Sequence, residues 1–256
     1  AASVELPTAF DPNSRYRLDY SDLDTVLKGS VLNMGPSTHN RAPRSRSVTG
    51  TKINIGNQLP SRFEGNRVMF HLYKPHQVAF LADMRNDLLA VPSKIDLAKL
   101  SKDEQLAYWL NLHNAIVLSE IAHLYPISDV ELLFDAREPN ALYKRRQFSL
   151  NGILISLEDI ENHILNNWSD PVVIYGFYMG AIGTPNILNT AYTAADVFEQ
   201  LKKNAIDFVN SVRGTEVWHS DELRVSSYYA RMASAFPNFE RDVLAHIKKY
   251  AKPSLL

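Results

Sequence analysis

The sequence has no cysteine among its 256 residues. Without a thiol, the chain has no sulfur nucleophile, disulfide, thiolate zinc site or iron–sulfur ligand, because each of these needs cysteine. No apolar run approaches the roughly 20 residues that cross a bilayer, so the sequence predicts a soluble chain that is not membrane-spanning. The formal net charge of -1 provides no global field for nucleic acid, and no specific nucleic-acid binding is predicted.

Metal-binding and phosphate-binding motifs are missing as well. The histidines form no HExxH motif, and His71 and His76 lack the i, i+4 spacing of a helical ligand pair. Gly176, Gly180 and Gly183 fit neither a dinucleotide-binding fingerprint nor a Walker loop. The sequence therefore predicts no metal site and no cofactor, and it leaves oxygen and nitrogen chemistry.

The composition that is present is that of a globular protein, with 45% hydrophobic and 21% charged residues. Short strands between helices, without regular βαβ alternation, predict an α+β fold: a single domain with a long buried central helix and a small, mainly antiparallel sheet. Residues 1–60 are predicted to form an N-terminal helix and a basic loop excursion packed on the main domain, residues 61–256. The Ala-Ala-Ser start favours an exported chain whose signal peptide has been removed, periplasmic or secreted, with a cytoplasmic location as the alternative.

The basic loop excursion lies between residues 33 and 60 and is rich in Gly, Pro, Ser, Thr and Asn. It brings Arg41, Arg44, Arg46 and Lys52 close together in sequence. A solvated loop is the favoured interpretation, and contact with a phosphate or an anionic polymer is the alternative.

The central helix is the most informative element of the sequence. Ser101 followed three residues later by Glu104 predicts a capping box, and the run 106–124 is apolar on almost every side, which predicts burial. Polar side chains inside such a helix need partners, because an unpaired buried polar group costs about 1–3 kcal/mol. Asn111, His113 and Asn114 therefore require an explanation.

Two interpretations of these polar residues stay open. Glu104, Tyr108 and Asn111 share one stripe of the helix, and a carboxylate in a partly buried cleft can act as a general acid or base. Alternatively, the capping box explains Glu104, and satisfied packing explains Tyr108 and Asn111. His113 points to the opposite side, where a buried hydrogen-bonding pair with Asn114 is favoured over a catalytic base. The candidate catalytic residues are Glu104, Asn111 and His113.

The C-terminal half mixes strands and helices. Asn151 and Gly152 predict a hairpin turn, and Ser156 with Asp159 predicts a capped helix. The run 172–178 is predicted to be a buried strand that ends in a glycine-containing turn. A turn at the carboxyl end of a strand often borders a ligand site, although core packing is the alternative for its aromatic residues. The candidate ligand-binding residues are Tyr108, Asn114, Tyr175, Tyr178, Gly180 and Thr184.

Four segments of the chain resemble the bacterial and plant family called domain of unknown function 547. They are the helical signature DEQLAYWLNLHNA at 103–115, the hairpin and helix at 144–165, the strand and turn at 170–185, and the helix at 191–214. The resemblance spans roughly residues 60–250, and the four segments together are more specific than any one of them.

The chain departs from the family at three positions. Many members carry a histidine at the start of the predicted strand and cysteines at its end and in the turn, where this chain has Ile174, Met179 and Thr184. The resemblance therefore implies a cleft without a thiol nucleophile. It favours a non-catalytic protein that binds an unidentified small molecule, peptide or protein. The alternative is a hydrolase or acyl-transfer enzyme that uses Glu104 with Asn111 or His113.

Overall fold

The computed structural model describes residues 4–43, 59–219 and 222–255. The predicted basic cluster therefore lies mostly outside the described residues, since Arg44, Arg46 and Lys52 all do. The helices are α1 Ser21–Ser30, α2 Pro75–Leu89, α3 Val91–Lys94, α4 Lys102–Leu124, α5 Leu157–Asn167, α6 Val197–Val209, α7 Ser227–Arg231 and α8 Phe239–Tyr250. Short 3-10 helices lie at Phe70–Leu72, Leu97–Lys99, Val130–Phe134, Pro171–Gly176 and Ala233–Ala235.

The strands of the described chain form three separate antiparallel pairs. They are β1 Val31–Leu32 with β2 Arg67–Val68, β3 Phe148–Leu150 with β4 Ile153–Ile155, and β5 Thr215–Trp218 with β6 Glu222–Val225. The predicted α+β class and antiparallel pairing are confirmed. The pairs do not join into a single sheet within the described residues, since each strand is hydrogen-bonded only to its own partner strand.

Helix α4 is the centre of the fold and packs against α2 and α5. Its side chains are buried almost without interruption from Glu104 to Ala122, as the apolar residues on every face predict. The Ser101 hydroxyl caps the helix by accepting the Glu104 amide N–H at 3.2 Å. The predicted capping box is only half present, because the Glu104 side chain turns instead to the N-terminal segment.

The N-terminal segment lies across the start of α4. The Asp11 amide donates to Leu100 O at 2.9 Å, and the Gln105 side chain donates to Ala9 O at 2.7 Å. Helix α1 then places Leu23 and Leu27 in the core, as their helical spacing predicts. In the described chain we find no helix that combines the length and apolar character needed to cross a bilayer.

The predicted strand at 172–178 is wrong, because Pro171–Gly176 forms a 3-10 helix. The Asp170 carboxylate caps this turn by accepting the Val172 amide at 3.0 Å, and Pro171 supplies the fixed φ of a first helical position. All residues from Val172 to Met179 are buried. A segment buried on every side has no periodicity with which to separate a strand from a helical turn.

The other predicted local signals in the C-terminal half are confirmed. Asn151 and Gly152 have φ values of 48° and 84°, so the hairpin turn uses the left-handed conformation that these residues tolerate. Ser156 and Asp159 form a reciprocal capping box at the start of α5. Arg146 pairs with Asp159 at 2.9 Å and joins the hairpin to that helix.

Candidate functional site

Asn111 of α4 is bonded to the backbone of one residue. Its side-chain Nδ2 donates to Tyr192 O at 2.8 Å, and its Oδ1 accepts the Tyr192 amide at 2.9 Å. Both residues are buried, at 2% and 3% exposure. The Asn111 side chain therefore satisfies both backbone polar groups of Tyr192, which precedes α6 and belongs to no helix or strand.

His113 and Asn114 form the buried pair that the sequence predicts, and each also has a second partner. His113 Nδ1 lies 3.0 Å from Asn114 Oδ1, and His113 Nε2 lies 2.9 Å from the Glu161 carboxylate of α5. Asn114 donates to Gly176 O and accepts the Tyr178 amide, both at 3.0 Å. Asn114 thus fixes the chain that leads into the turn at residues 178–186.

Glu104 is a buried carboxylate with one oxygen in use. Its Oε1 accepts the Leu18 amide at 3.0 Å and lies 3.4 Å from the Tyr20 hydroxyl, while Oε2 has no hydrogen-bond partner in the described chain. Burial raises the pKa of Glu104, and the Leu18 amide and the Arg17 guanidinium at 4.0 Å oppose that shift. The carboxylate therefore lies beneath the N-terminal segment, at 1% exposure, rather than at an open cleft.

Two of the aromatic candidates, Tyr108 and Tyr175, belong to the core. The Tyr108 hydroxyl donates to Leu88 O at 2.8 Å, and Tyr108 is fully buried. The Tyr175 hydroxyl lies 2.9 Å from the Tyr229 hydroxyl and 3.1 Å from His246 Nε2, also with no exposure. The structure therefore does not bring Glu104, Asn111 and His113 to one surface, and it places Tyr108 and Tyr175 away from solvent.

Three of the predicted ligand-binding residues do come together. Tyr178, Gly180 and Thr184 line a pocket of about 210 Å³ that opens to solvent and that we call the turn pocket. Its opposite wall is the segment that runs from Glu64 through β2 to Phe70. The pocket lies between two parts of the chain more than 100 residues apart, which the bond from the Asn66 amide to Asn186 Oδ1 at 2.8 Å holds together.

Tyr178 supplies an unpaired polar group to the turn pocket. Tyr178 is 7% exposed, and its hydroxyl has no hydrogen-bond partner in the described chain. The hydroxyl lies 3.8 Å from where a Cβ on Gly180 would stand, next to the pocket wall. Burial raises the pKa of Tyr178, so the hydroxyl is a neutral donor at physiological pH.

Arg213 forms the base of the turn pocket. It donates to the Thr184 carbonyl at 3.1 Å and to the Asp207 carboxylate at 3.0 Å, and its side chain is 3% exposed. Its guanidinium lies directly over Gly65, whose φ is +82°, and a Cβ at Gly65 would stand 2.7 Å from Nη1. Burial lowers the pKa of Arg213, and the carboxylates of Asp207 and Glu64 oppose that shift.

Glu64 completes the base with a fully bonded carboxylate. Oε1 accepts the amides of Thr38 and His39 at 3.2 and 3.1 Å, and Oε2 accepts Ser211 Oγ and the Val212 amide at 2.5 and 3.0 Å. Buried charges are stable only when paired and hydrogen-bonded in this way. Glu64 and Arg213 therefore hold the pocket's shape, and neither was predicted as a site residue.

Sequence analysis also missed Arg67, which lines the same pocket. The one available signal was the Glu64-Gly65-Asn66 turn, which marked a bend but not its partner. A single arginine on a two-residue strand has no local pattern that indicates a site.

A second cavity of about 470 Å³ lies on the other side of the same turn. Met179 and Thr184 both line it, together with Arg231 and Tyr228 of α7. Met179 and Thr184 occupy the two positions at which many members of the family carry cysteine. Within the described residues, no group of three histidine or acidic side chains is placed to hold a metal ion.

Comparisons with known proteins agree with the family resemblance. The sequence model of a family described as "Protein of unknown function, DUF547" matches residues 97–209. This match confirms the resemblance over α4, the β3–β4 hairpin, α5 and α6, a narrower range than the roughly 60–250 over which the sequence resembles the family. Neither the search of curated proteins nor the search of solved structures finds a match.

Proposed function

We propose, on the geometry of the turn pocket, that the chain is a non-catalytic protein that binds a small ligand there. The family whose model matches residues 97–209 is described only as of unknown function, so the proposal depends on the structure. One observation carries the proposal. Tyr178, Gly180 and Thr184, which the sequence predicts to border a ligand site, line a single open pocket that contains a tyrosine hydroxyl without a protein partner in the described chain. A few convergent polar groups on a partly apolar wall are typical of small-molecule sites.

The polar residues of α4 support a binding function by their placement. Asn111 and Asn114 use both ends of their amides on backbone groups, and His113 is enclosed between Asn114 and Glu161. A general base must reach the proton that it removes, at a heavy-atom distance of about 2.6–3.2 Å or through one water. His113 has no exposure to solvent and would have to leave both partners to do so.

The second cavity supports the same proposal. A thiol at position 179 or 184 would line that cavity, but this chain has a thioether and a hydroxyl there. The Thr184 hydroxyl donates to Ala181 O at 2.6 Å, and no histidine accepts from it in the described chain. A hydroxyl without an adjacent base is a weak nucleophile.

The test is a thermal-shift screen of small molecules and short peptides against three proteins. The native chain is compared with Val68→Phe, which adds bulk to the pocket wall. The control is Leu32→Phe on the paired strand, where the side chain is 47% exposed. A ligand at about 100 times its Kd stabilises the folded state by about 2.7 kcal/mol.

We expect at least one compound to raise the melting temperature of the native chain and of Leu32→Phe but not of Val68→Phe. Compounds that stabilise Val68→Phe equally would show that binding occurs elsewhere, and the absence of any stabilising compound would refute a small-ligand function. Turnover of acyl or peptide substrates that is lost in Glu104→Gln would instead support the enzyme alternative.

A further inference from the structure

We infer that the turn pocket recognises an oxyanion on its ligand, a carboxylate or a phosphate monoester, through the Arg67 guanidinium and the Tyr178 hydroxyl. The inference rests on the proposed binding function and names its ligand class. Both residues line the pocket, one from β2 and one from the turn that follows the 3-10 helix Pro171–Gly176.

Arg67 is a cation with unused donors. Nη2 donates to Arg62 O at 2.6 Å, and no carboxylate lies within ion-pair distance of Arg67 in the described chain. Nε and Nη1 have no hydrogen-bond partner there either. Guanidinium presents its donors in a planar fork that matches a carboxylate or phosphate, so an arginine left open at a pocket favours such a group.

The fold holds Tyr178 in place, with its hydroxyl as a hydrogen-bond donor at the pocket. Its amide is bonded to Asn114 on α4, and its ring is more than nine-tenths buried. Its hydroxyl oxygen is not among the fully buried atoms that lack a partner, so it remains accessible to solvent at the open pocket. A ligand oxygen in the turn pocket would replace water as the acceptor, with the Tyr178 hydroxyl as donor.

The charges around the pocket favour an anion over a cation. Arg213 is balanced by the carboxylates of Glu64 and Asp207, whose oxygens already accept hydrogen bonds from protein donors. Arg67 and its neighbour Arg62 have no carboxylate partner in the described chain. Of the two arginines that line the pocket, Arg67 is therefore the one without a carboxylate partner in the described chain, and the carboxylate acceptors that a cation would need are already in use.

The pocket also limits the size of the ligand. A volume of about 210 Å³ is below the range of roughly 300–1,000 Å³ typical of drug-sized sites. Phe70, Val68 and Ile182 supply apolar wall next to the polar groups. The expected ligand is therefore a small anion with a compact apolar body, about the size of one substituted ring.

Calorimetric titration with three matched probes tests the inference. Benzoate and phenyl phosphate carry the two oxyanions on the same ring, and benzamide is the uncharged match for benzoate. Each probe is titrated into the native chain, Arg67→Gln and Tyr178→Phe.

Arg241→Gln and Tyr16→Phe are the controls, because both residues are exposed and lie outside the pocket. Circular dichroism melts show whether each variant folds, and Arg67→Lys retains a charge if Arg67→Gln does not fold.

We expect benzoate or phenyl phosphate to bind the native chain and both controls, with benzamide weaker. Loss of a hydrogen bond to a charged group corresponds to about a ten- to hundredfold weaker affinity, and we expect this for Arg67→Gln and Tyr178→Phe. The anion that binds more tightly identifies the source, carboxylate or phosphate.

Three results would overturn the inference. Equal binding of benzamide, or affinity unchanged in both pocket variants, would leave a binding protein without oxyanion recognition. If no probe binds the native chain, oxyanion recognition is refuted, while the broader screen with Val68→Phe decides separately whether the pocket binds any ligand.

Discussion

Replacing Asn111 with alanine separates a structural role from a catalytic one. The substitution leaves the amide and the carbonyl of Tyr192 without their partners, in a residue that is 3% exposed. An unsatisfied buried group costs about 1–3 kcal/mol, so the two together cost about 2–6 kcal/mol. Alanine recovers roughly 0.5 kcal/mol through its higher helix propensity. We therefore expect Asn111→Ala to lower the free energy of unfolding by about 2–5 kcal/mol.

Urea unfolding followed by circular dichroism measures this difference as a shift in the midpoint at constant slope. Asn111→Asp keeps the acceptor for the Tyr192 amide but loses the donor, and it places a carboxylate opposite a carbonyl oxygen, so it should also destabilise. Asn162→Ala is the matched control, because Asn162 lies in α5 with an exposed side chain. The control should stay within about 0.5 kcal/mol of the native chain. An equally stable Asn111→Ala variant that has lost substrate turnover would refute the structural role and favour the catalytic one.

Three further predictions follow from individual residues. Glu104→Gln removes a buried carboxylate whose pKa is raised by burial. The free energy of unfolding of the native chain should therefore fall relative to that of this variant as pH rises above about 4.5 through the folded pKa. Parallel curves of stability against pH for the two proteins would contradict this. His163 lies between Trp109 and Trp168, and burial lowers its pKa to about 4. The stability that neutral His163 contributes is present above about pH 6.5 and is lost towards pH 4, by about 3 kcal/mol. The free energy of unfolding of His163→Phe should therefore fall less steeply over that pH range than that of the native chain. An unchanged dependence of stability on pH would show that His163 is not the titrating group. Gly214→Ala places a Cβ 2.1 Å from Phe208 O and should destabilise by about 1–3 kcal/mol in urea unfolding, whereas a neutral result would mean that the chain shifts freely there.

Much of the local structure could be predicted from sequence. The run 106–124 is apolar around its whole circumference, and α4 is accordingly buried along most of its length. Ser156 with Asp159, and Asn151 with Gly152, marked a helix start and a hairpin turn that the structure contains. Each of these signals involves residues within four positions of each other, where backbone geometry alone fixes which side chains meet.

The segment 170–178 shows where such signals stop. Its apolar run is compatible with a buried strand or a buried helical turn, and the Asp170 cap with Pro171 decides for the 3-10 helix. Glu104 shows the same limit. Its position in a capping box was readable, but the Leu18 amide, 86 residues earlier in the chain, is the partner that it uses.

By itself, the sequence determined the α+β class, the buried central helix, the absence of thiol chemistry and three residues of the candidate pocket. Only the tertiary structure placed Arg67 opposite Tyr178, set Arg213 beneath them, and enclosed His113 with Glu161. The reason is physical: helix and turn signals arise from neighbours along the chain, whereas a pocket arises from packing between distant segments. A pattern of residues close together in sequence cannot predict which residue, more than 100 positions away, will lie opposite them in the fold.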